Sequence, residues 1–146
     1  MKDNEISLYQ CRNEDYVRIL DFYNDPSIRK TFNGIRKDRV IAADAAYIIR
    51  RNETSIGFIL LVPSNNDTYN IDTGILEQYR GNGYATIAMR LLRERVEVQG
   101  INFYVQAKKN NLPMNKSLSS CGFSLIDEED NINYYSNNLV KQKASI

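Results

Sequence analysis

Between residues 70 and 98 the hydrophobic period changes across one short loop, and that change limits the fold more than any other feature of the sequence. Asn70 to Leu76 carries β-branched Ile71, Thr73 and Ile75 at every second position, the pattern of a strand. Ala85, Ala88, Met89, Leu92 and Val96 then recur at three- and four-residue spacing, which predicts a helix over about 84 to 98, stopped at Gly100. Only the segment from Glu77 to Gly83 separates the two. A strand that enters a helix through a glycine-rich turn belongs to a mixed α/β chain, which disfavours a purely helical adaptor.

The remaining segments agree. Ile6, Leu8 and Tyr9 read as a first strand, and Asn13 as the N-cap of an amphipathic helix over 14 to 24, with Glu14 and Asp15 in its first turn. Asp25-Pro26 ends that helix, because the residue before proline is pushed out of the α region. Ser27 to Phe32 reads as a second helical piece closed by Asn33-Gly34, and 35 to 43 as a short helix or a loop. Ala46 to Arg50 and Ser55 to Val62 are strands around a polar turn, and the cluster Pro63 to Asp67 breaks the pattern. Ile101 to Ala107 is a strand and 113 to 121 a short helix opened by Pro113. Two further strands flank an acidic turn at Asp127 to Asp130, the last over Asn133 to Asn138, and the tail 141 to 146 is expected to fray. The order is β-α-α-β-β-β-α-β-α-β-β, which the 146 residues accommodate as one domain over 1–146 with its core over about 6 to 136.

Composition removes several chemistries. There is no histidine, so a Ser-His-Asp triad, a Cys-His pair and a His-ligated metal are all excluded. Proton transfer is left to carboxylates, Tyr, Lys, Cys, a cofactor or water. Cys11 and Cys121 are too few for a disulfide scaffold or a four-thiolate metal site, and no metal is expected. Net charge is +1, which gives no electrostatic case for nucleic acid or a membrane surface as partner. No apolar stretch approaches the roughly 18 residues of a membrane span, and the charged start Met1 to Glu5 does not resemble a signal, so a cytoplasmic location is expected.

The loop carries the chemistry. A helix N-terminus offers unpaired N–H groups and the positive end of a dipole, and glycines let that backbone approach an anion. Arg80 adds a charge beside it. The segment is neither a P-loop nor a dinucleotide fingerprint, which need residues absent here. It resembles instead the pyrophosphate loop of the GNAT superfamily of N-acetyltransferases, of form Q/R-x-x-G-x-G/A, matched by Arg80, Gly83 and Ala85. Asn110 to Leu118, followed by Gly122-Phe123, is similar to that family's second motif. Asn24-Asp25-Pro26-Ser27-Ile28-Arg29 resembles the branch of ribosomal-protein N-terminal acetyltransferases.

The resemblance implies a mixed, mostly antiparallel central sheet flanked by helices. It also implies acetyl-CoA as donor and a primary amine, on a peptide N-terminus or a small molecule, as acceptor in direct transfer within a ternary complex. A homodimer is left open. Backbone groups of Ile75 and Leu76 would bind the pantetheine arm in a gap of the sheet, with the Leu76 N–H as oxyanion donor. Arg80, Gly81, Asn82, Gly83, Tyr84 and Ala85 would hold the pyrophosphate, Asn111 would contact the cofactor, and Lys116 would reach its outer phosphates. The family's tyrosine acid falls on Leu118 and the serine of related branches on Met114. That leaves Tyr104, Tyr134, Tyr135, Ser117, Ser119, Ser120 or water for the departing thiolate. Asp72 and Glu77 are the candidate bases beside the central strand; Asp72 shares a strand face with Leu76. The empty tyrosine and serine positions also suit a second reading, an acyl-CoA-binding module that has lost catalysis.

Overall fold

The computed structural model describes residues 5–32, 37–64, 68–100 and 102–137. The expected turn at Asn33-Gly34, much of the 63 to 67 cluster, Ile101 and the C-terminal tail lie outside them. Strands β1 (Ile6–Gln10), β2 (Ala45–Arg51), β3 (Thr54–Pro63), β4 (Tyr69–Ile75), β5 (Tyr104–Lys108), β6 (Ser124–Glu129) and β7 (Ile132–Ser136) form one sheet. Its order is β1-β2-β3-β4-β5-β7-β6. All neighbours are antiparallel except β4 and β5, whose parallel pairing is limited to Tyr69 with Val105 and Asn70 with Gln106.

Strand alternation splits the core in two. Ile59, Leu61, Ile71 and Ile75 face helices α4 (Tyr84–Val98) and α5 (Leu112–Ser120), and meet Ala88, Met89, Leu92 and Leu118 there. Ile48, Phe58, Leu60 and Val62 face the opposite way, onto Ile19, Phe22 and Tyr23 of α1 (Tyr16–Asn24), Ile28 of α2 (Pro26–Phe32) and Val40 of α3 (Lys37–Ala42). The single α/β domain with a mixed, mostly antiparallel sheet agrees with expectation.

Several boundaries differ. Asn13 opens a 3-10 turn, Asn13–Asp15, and does not cap a helix; the Asp15 carboxylate accepts the Arg12 N–H at 2.9 Å and closes the turn from the other end. Of the 35 to 43 segment, Lys37–Ala42 forms the helix α3, and 35 and 36 lie outside the described residues. β5 starts at Tyr104, because Phe103 exchanges its backbone groups with Asn137 instead of a strand partner. Most of the acidic run lies inside β6, an edge strand with a register shift between Leu125 and Asp127, where side chains reach water without cost. No helix among the described residues is long and apolar enough to cross a membrane.

Candidate active site

Beyond Asn70 and Gln106 the strands β4 and β5 part, and the opening is the centre of the site. Its wall follows from register. The Leu76 N–H donates to the Ile56 carbonyl at 2.9 Å, so even-numbered residues of β4 bond toward β3. The backbone groups of Ile71, Thr73 and Ile75 therefore face the gap. The donor expected at Leu76 points away from the opening, and the donors that border it belong to its odd-numbered neighbours.

The gap continues into a slot of about 300 Å³ lined by Asp72, Thr73, Met89, Asn111, Met114 and Ser117, among others. A smaller recess of about 130 Å³ lies at the loop, bordered by Ile75, Arg80, Gly81, Gly83, Tyr84 and Ala85. Gly81 and Gly83 both adopt left-handed backbone, with φ of 81° and 77°, and nothing stands within 4 Å of where a Cβ would sit on either. The conformation requires glycine and the space over it is open, which suits a phosphate laid on the backbone. Gly83 caps α4 without a side-chain bond, so the N–H groups of its first turn lack helical partners before Ile87 bonds back to Gly83.

The side chains of the loop are partly committed. Arg80 donates through Nε to the Ile75 carbonyl at 2.8 Å and reaches Ser27 at 3.4 Å, tying the loop to β4 and α2. The Asn82 amide bonds to the Tyr79 and Arg80 carbonyls, so it shapes the loop from within. Asn111 caps α5 by accepting the Met114 N–H at 3.3 Å while lining the slot. Lys116 is exposed on α5, and Glu77 is exposed in the 3-10 turn Glu77–Tyr79. Tyr134 sits half-buried on β7, paired across the strands with Gln106 and Asp127. Desolvation first, and then Glu129, push its phenol above the usual tyrosine range. Lys116, Glu77 and Tyr134 are not brought to the slot or the recess.

Asp72 does border the slot, with 7% exposure, but both its oxygens are engaged. Arg39 donates to it through Nε at 2.9 Å and Nη2 at 2.7 Å, and the Tyr23 hydroxyl adds a third bond at 3.0 Å. These bonds raise the Arg39 pKa still further, against the effect of burial. Of the hydroxyls considered for the acid, Ser117 reaches the slot, 3.3 Å from the Thr86 hydroxyl of α4, whereas Ser119 and Ser120 are exposed. Tyr135 is buried and donates to Asn115 Oδ1 at 2.6 Å. Leu118 is fully buried in the core beside α4.

Two contributors escaped the sequence reading. Asn115 donates to the Lys108 and Asn111 carbonyls and accepts from Asn133 and Tyr135, joining α5 to β5 and β7. Arg39 lies in the segment with ambiguous periodicity, and only the fold brings it to Asp72. Among the described residues no three His, Cys, Asp or Glu side chains gather as a metal site.

Residues 5–124 match the family model described as an acetyltransferase (GNAT) domain. The chain is a GNAT acetyltransferase. As such it is an acetyl-CoA-dependent N-acetyltransferase, and the recess and parted strands described above fit that co-substrate. The fold of this GNAT protein is similar to an acetyltransferase (GNAT family) from Bacillus anthracis, with a TM-score of 0.64 at 14% identity over 90% of this chain and 93% of that one. It is also similar to RimL, a ribosomal L7/L12 alpha-N-protein acetyltransferase solved with coenzyme A, with a TM-score of 0.63 at 12% identity, covering 93% and 95%. The aminoglycoside acetyltransferase AAC(6')-Ib, solved with coenzyme A, gives a TM-score of 0.68 at 15% identity, covering 95% and 99%. No curated protein matches this GNAT chain by sequence. The relatives by fold span more than one acceptor class, so the family is fixed while its branch is open.

Proposed function

We propose that this GNAT protein moves the acetyl group directly to a primary amine, with both substrates held together across the gap between β4 and β5. The observation that carries this reading is the parting of those strands after only two residue pairs, with a glycine loop and a bare helix end at one side. Acetyl-CoA supplies an acetyl group already activated as a thioester. Ile71, Thr73 and Ile75 would bond the amides of its pantetheine arm as a neighbouring strand would, and one of their N–H groups would polarise the thioester carbonyl. The loop from Arg80 to Ala85 would hold the pyrophosphate through backbone N–H groups.

Proton movement is modest. The amine must arrive neutral, and the proton its nitrogen loses on acylation balances the one the sulfur gains. Ser117 is the slot hydroxyl that would hydrogen-bond the departing sulfur, a fair leaving group with a pKa near 8.5. Asp72 is already bonded three times over, so we assign amine deprotonation to water in the open slot and give Asp72 a positioning role. Peptide N-termini and small amines are both acceptors compatible with this chemistry.

Calorimetric titration with acetyl-CoA, CoA and ATP, followed by an amine panel read by thiol release, tests the reading. Micromolar binding of the two CoA compounds but not ATP, with acetyl-dependent thiol release on at least one amine, is expected. Binding without release on any amine would identify an acyl-CoA-binding module instead.

A further inference from the structure

The Tyr23–Asp72–Arg39 cluster is more elaborate than a fold contact requires. Its three residues come from α1, β4 and α3, and Asp72 belongs to the wall of the slot while its carboxylate turns to the α1 and α3 face of the sheet. A buried ion pair is a weak source of stability, because removing two charges from water offsets their attraction. Neutralising Asp72 would need only a lysine. A guanidinium adds a second planar edge.

That edge is available. Nε and one N–H of Nη2 are spent on Asp72, which leaves the end formed by Nη1 and the outer N–H of Nη2 directed away from the carboxylate. The Arg39 side chain keeps 25% exposure, and among the described residues no acceptor is bonded to that end. The head group is held by its bidentate pairing, and Tyr23 in turn fixes Asp72. A guanidinium held by one edge on a residue of the slot wall is a prepared fork for a planar anion.

We propose that Arg39, clamped by Asp72 and Tyr23, recognises a carboxylate carried by the amine acceptor. This rests on the transfer reading above and narrows its substrate class. The carboxylate comes either from a free amino acid or from an acidic first side chain on a peptide. A polycationic acceptor would bring a second ammonium against the guanidinium and be repelled.

Isosteric acceptor pairs separate the two sources. Alanine against alaninamide tests the α-carboxylate, and a peptide beginning with Asp against one beginning with Asn tests the side chain. Each pair is measured twice, as kcat/KM by thiol release and as calorimetric affinity for the CoA-loaded protein. One pair should favour its carboxylate member by about tenfold or more in the wild type. Arg39→Gln should level that preference. Arg39→Lys keeps a cation on Asp72 and so preserves the fold, yet loses the fork; it should give up most of the preference with acetyl-CoA affinity unchanged. Absence of preference in both pairs, or a preference that survives Arg39→Lys intact, overturns the proposal. The affinity arm needs no turnover. An acceptor bound through Arg39 but never acetylated would sink the transfer reading alone, whereas acetylation blind to the carboxylate would sink this one alone.

Discussion

At Gly83 the backbone, the charge and the open space make one residue decisive. Aspartate tolerates left-handed backbone better than most residues, so Gly83→Asp should keep the fold while setting a carboxylate against the expected pyrophosphate. Acetyl-CoA affinity should fall by about 2 kcal/mol, roughly thirtyfold in Kd, while the left-handed backbone costs about 1 kcal/mol of stability, a drop of only a few degrees in melting temperature. Calorimetry beside a thermal scan checks both, and an unaltered Kd would remove the loop assignment. Ser117→Ala should lower kcat about tenfold while leaving acetyl-CoA affinity within about twofold, since the hydroxyl would act on the leaving sulfur. Stopped-assay kinetics with saturating acetyl-CoA measures it, and an unchanged kcat gives the proton to water alone. At this scale the glycines were legible, because only a positive φ makes their spacing necessary. The partners of Asp72 were not. Its three bonds come from residues 33 and 49 positions away in sequence, and no local pattern encodes such a meeting. Leu76 shows the opposite difficulty: the strand period gives its face correctly, but the direction of its N–H depends on the register with β3.

Among the elements, β3 and β4 carry two glycines diagonally across their pairing, Gly57 opposite Ile75 and Gly74 opposite Phe58. A Cβ on Gly57 would collide with the Gly74 carbonyl and stand 2.8 Å from Ile75 Cδ1, while one on Gly74 would stand 2.8 Å from the Phe58 ring. The obstacle at Gly57 is backbone, which cannot rotate aside. Gly57→Val should therefore cost about 2 to 3 kcal/mol of stability, read as a shift in urea midpoint, and should reduce acetyl-CoA binding by displacing the Ile75 end of β4. A neutral result would mean that β3 and β4 can separate without consequence for the wall of the gap. Strong periods made β3, β4 and α4 readable, since each buries a continuous face. α3 was ambiguous because it is six residues long and buries little besides Val40. The strand after Phe123 was readable, but its acidic end, Asp127 to Glu129, reads as turn because every residue from Leu125 to Glu129 is exposed and pairing with β7 alone holds it extended.

For the whole molecule, pH sets the limits of stability from both sides. Burial pushes the thiols of Cys11 and Cys121 above the usual cysteine range, up to about 11, with Asp15 adding to the rise at Cys11. Burial likewise raises Tyr47 and Tyr69. A raised group stabilises fully below its unfolded pKa and loses that contribution as pH climbs through the folded value. At the acid end, the Arg12 N–H and the Tyr9 hydroxyl hold Asp15 low, and the Ser27 hydroxyl leads the bonds that hold Asp25 low. Their contribution is complete above the unfolded carboxylate value and disappears as pH falls through the lowered one. Urea midpoints should be level between about pH 5 and 8, then decline below about 4 and again from about 9 to 11. A profile flat to pH 11 would contradict the thiol burial. The scarcity of pairing between β4 and β5 bears on cooperativity as well as on binding. Two residue pairs are a slender seam between a half-sheet of β1 to β4 and another of β5 to β7. A co-substrate that bonds like a strand is then a structural suture, and its arrival should slow amide exchange in the smaller half far more than in the larger. Turnover would in that case loosen and tighten the molecule once per cycle, with the leaving product cutting its own stitch.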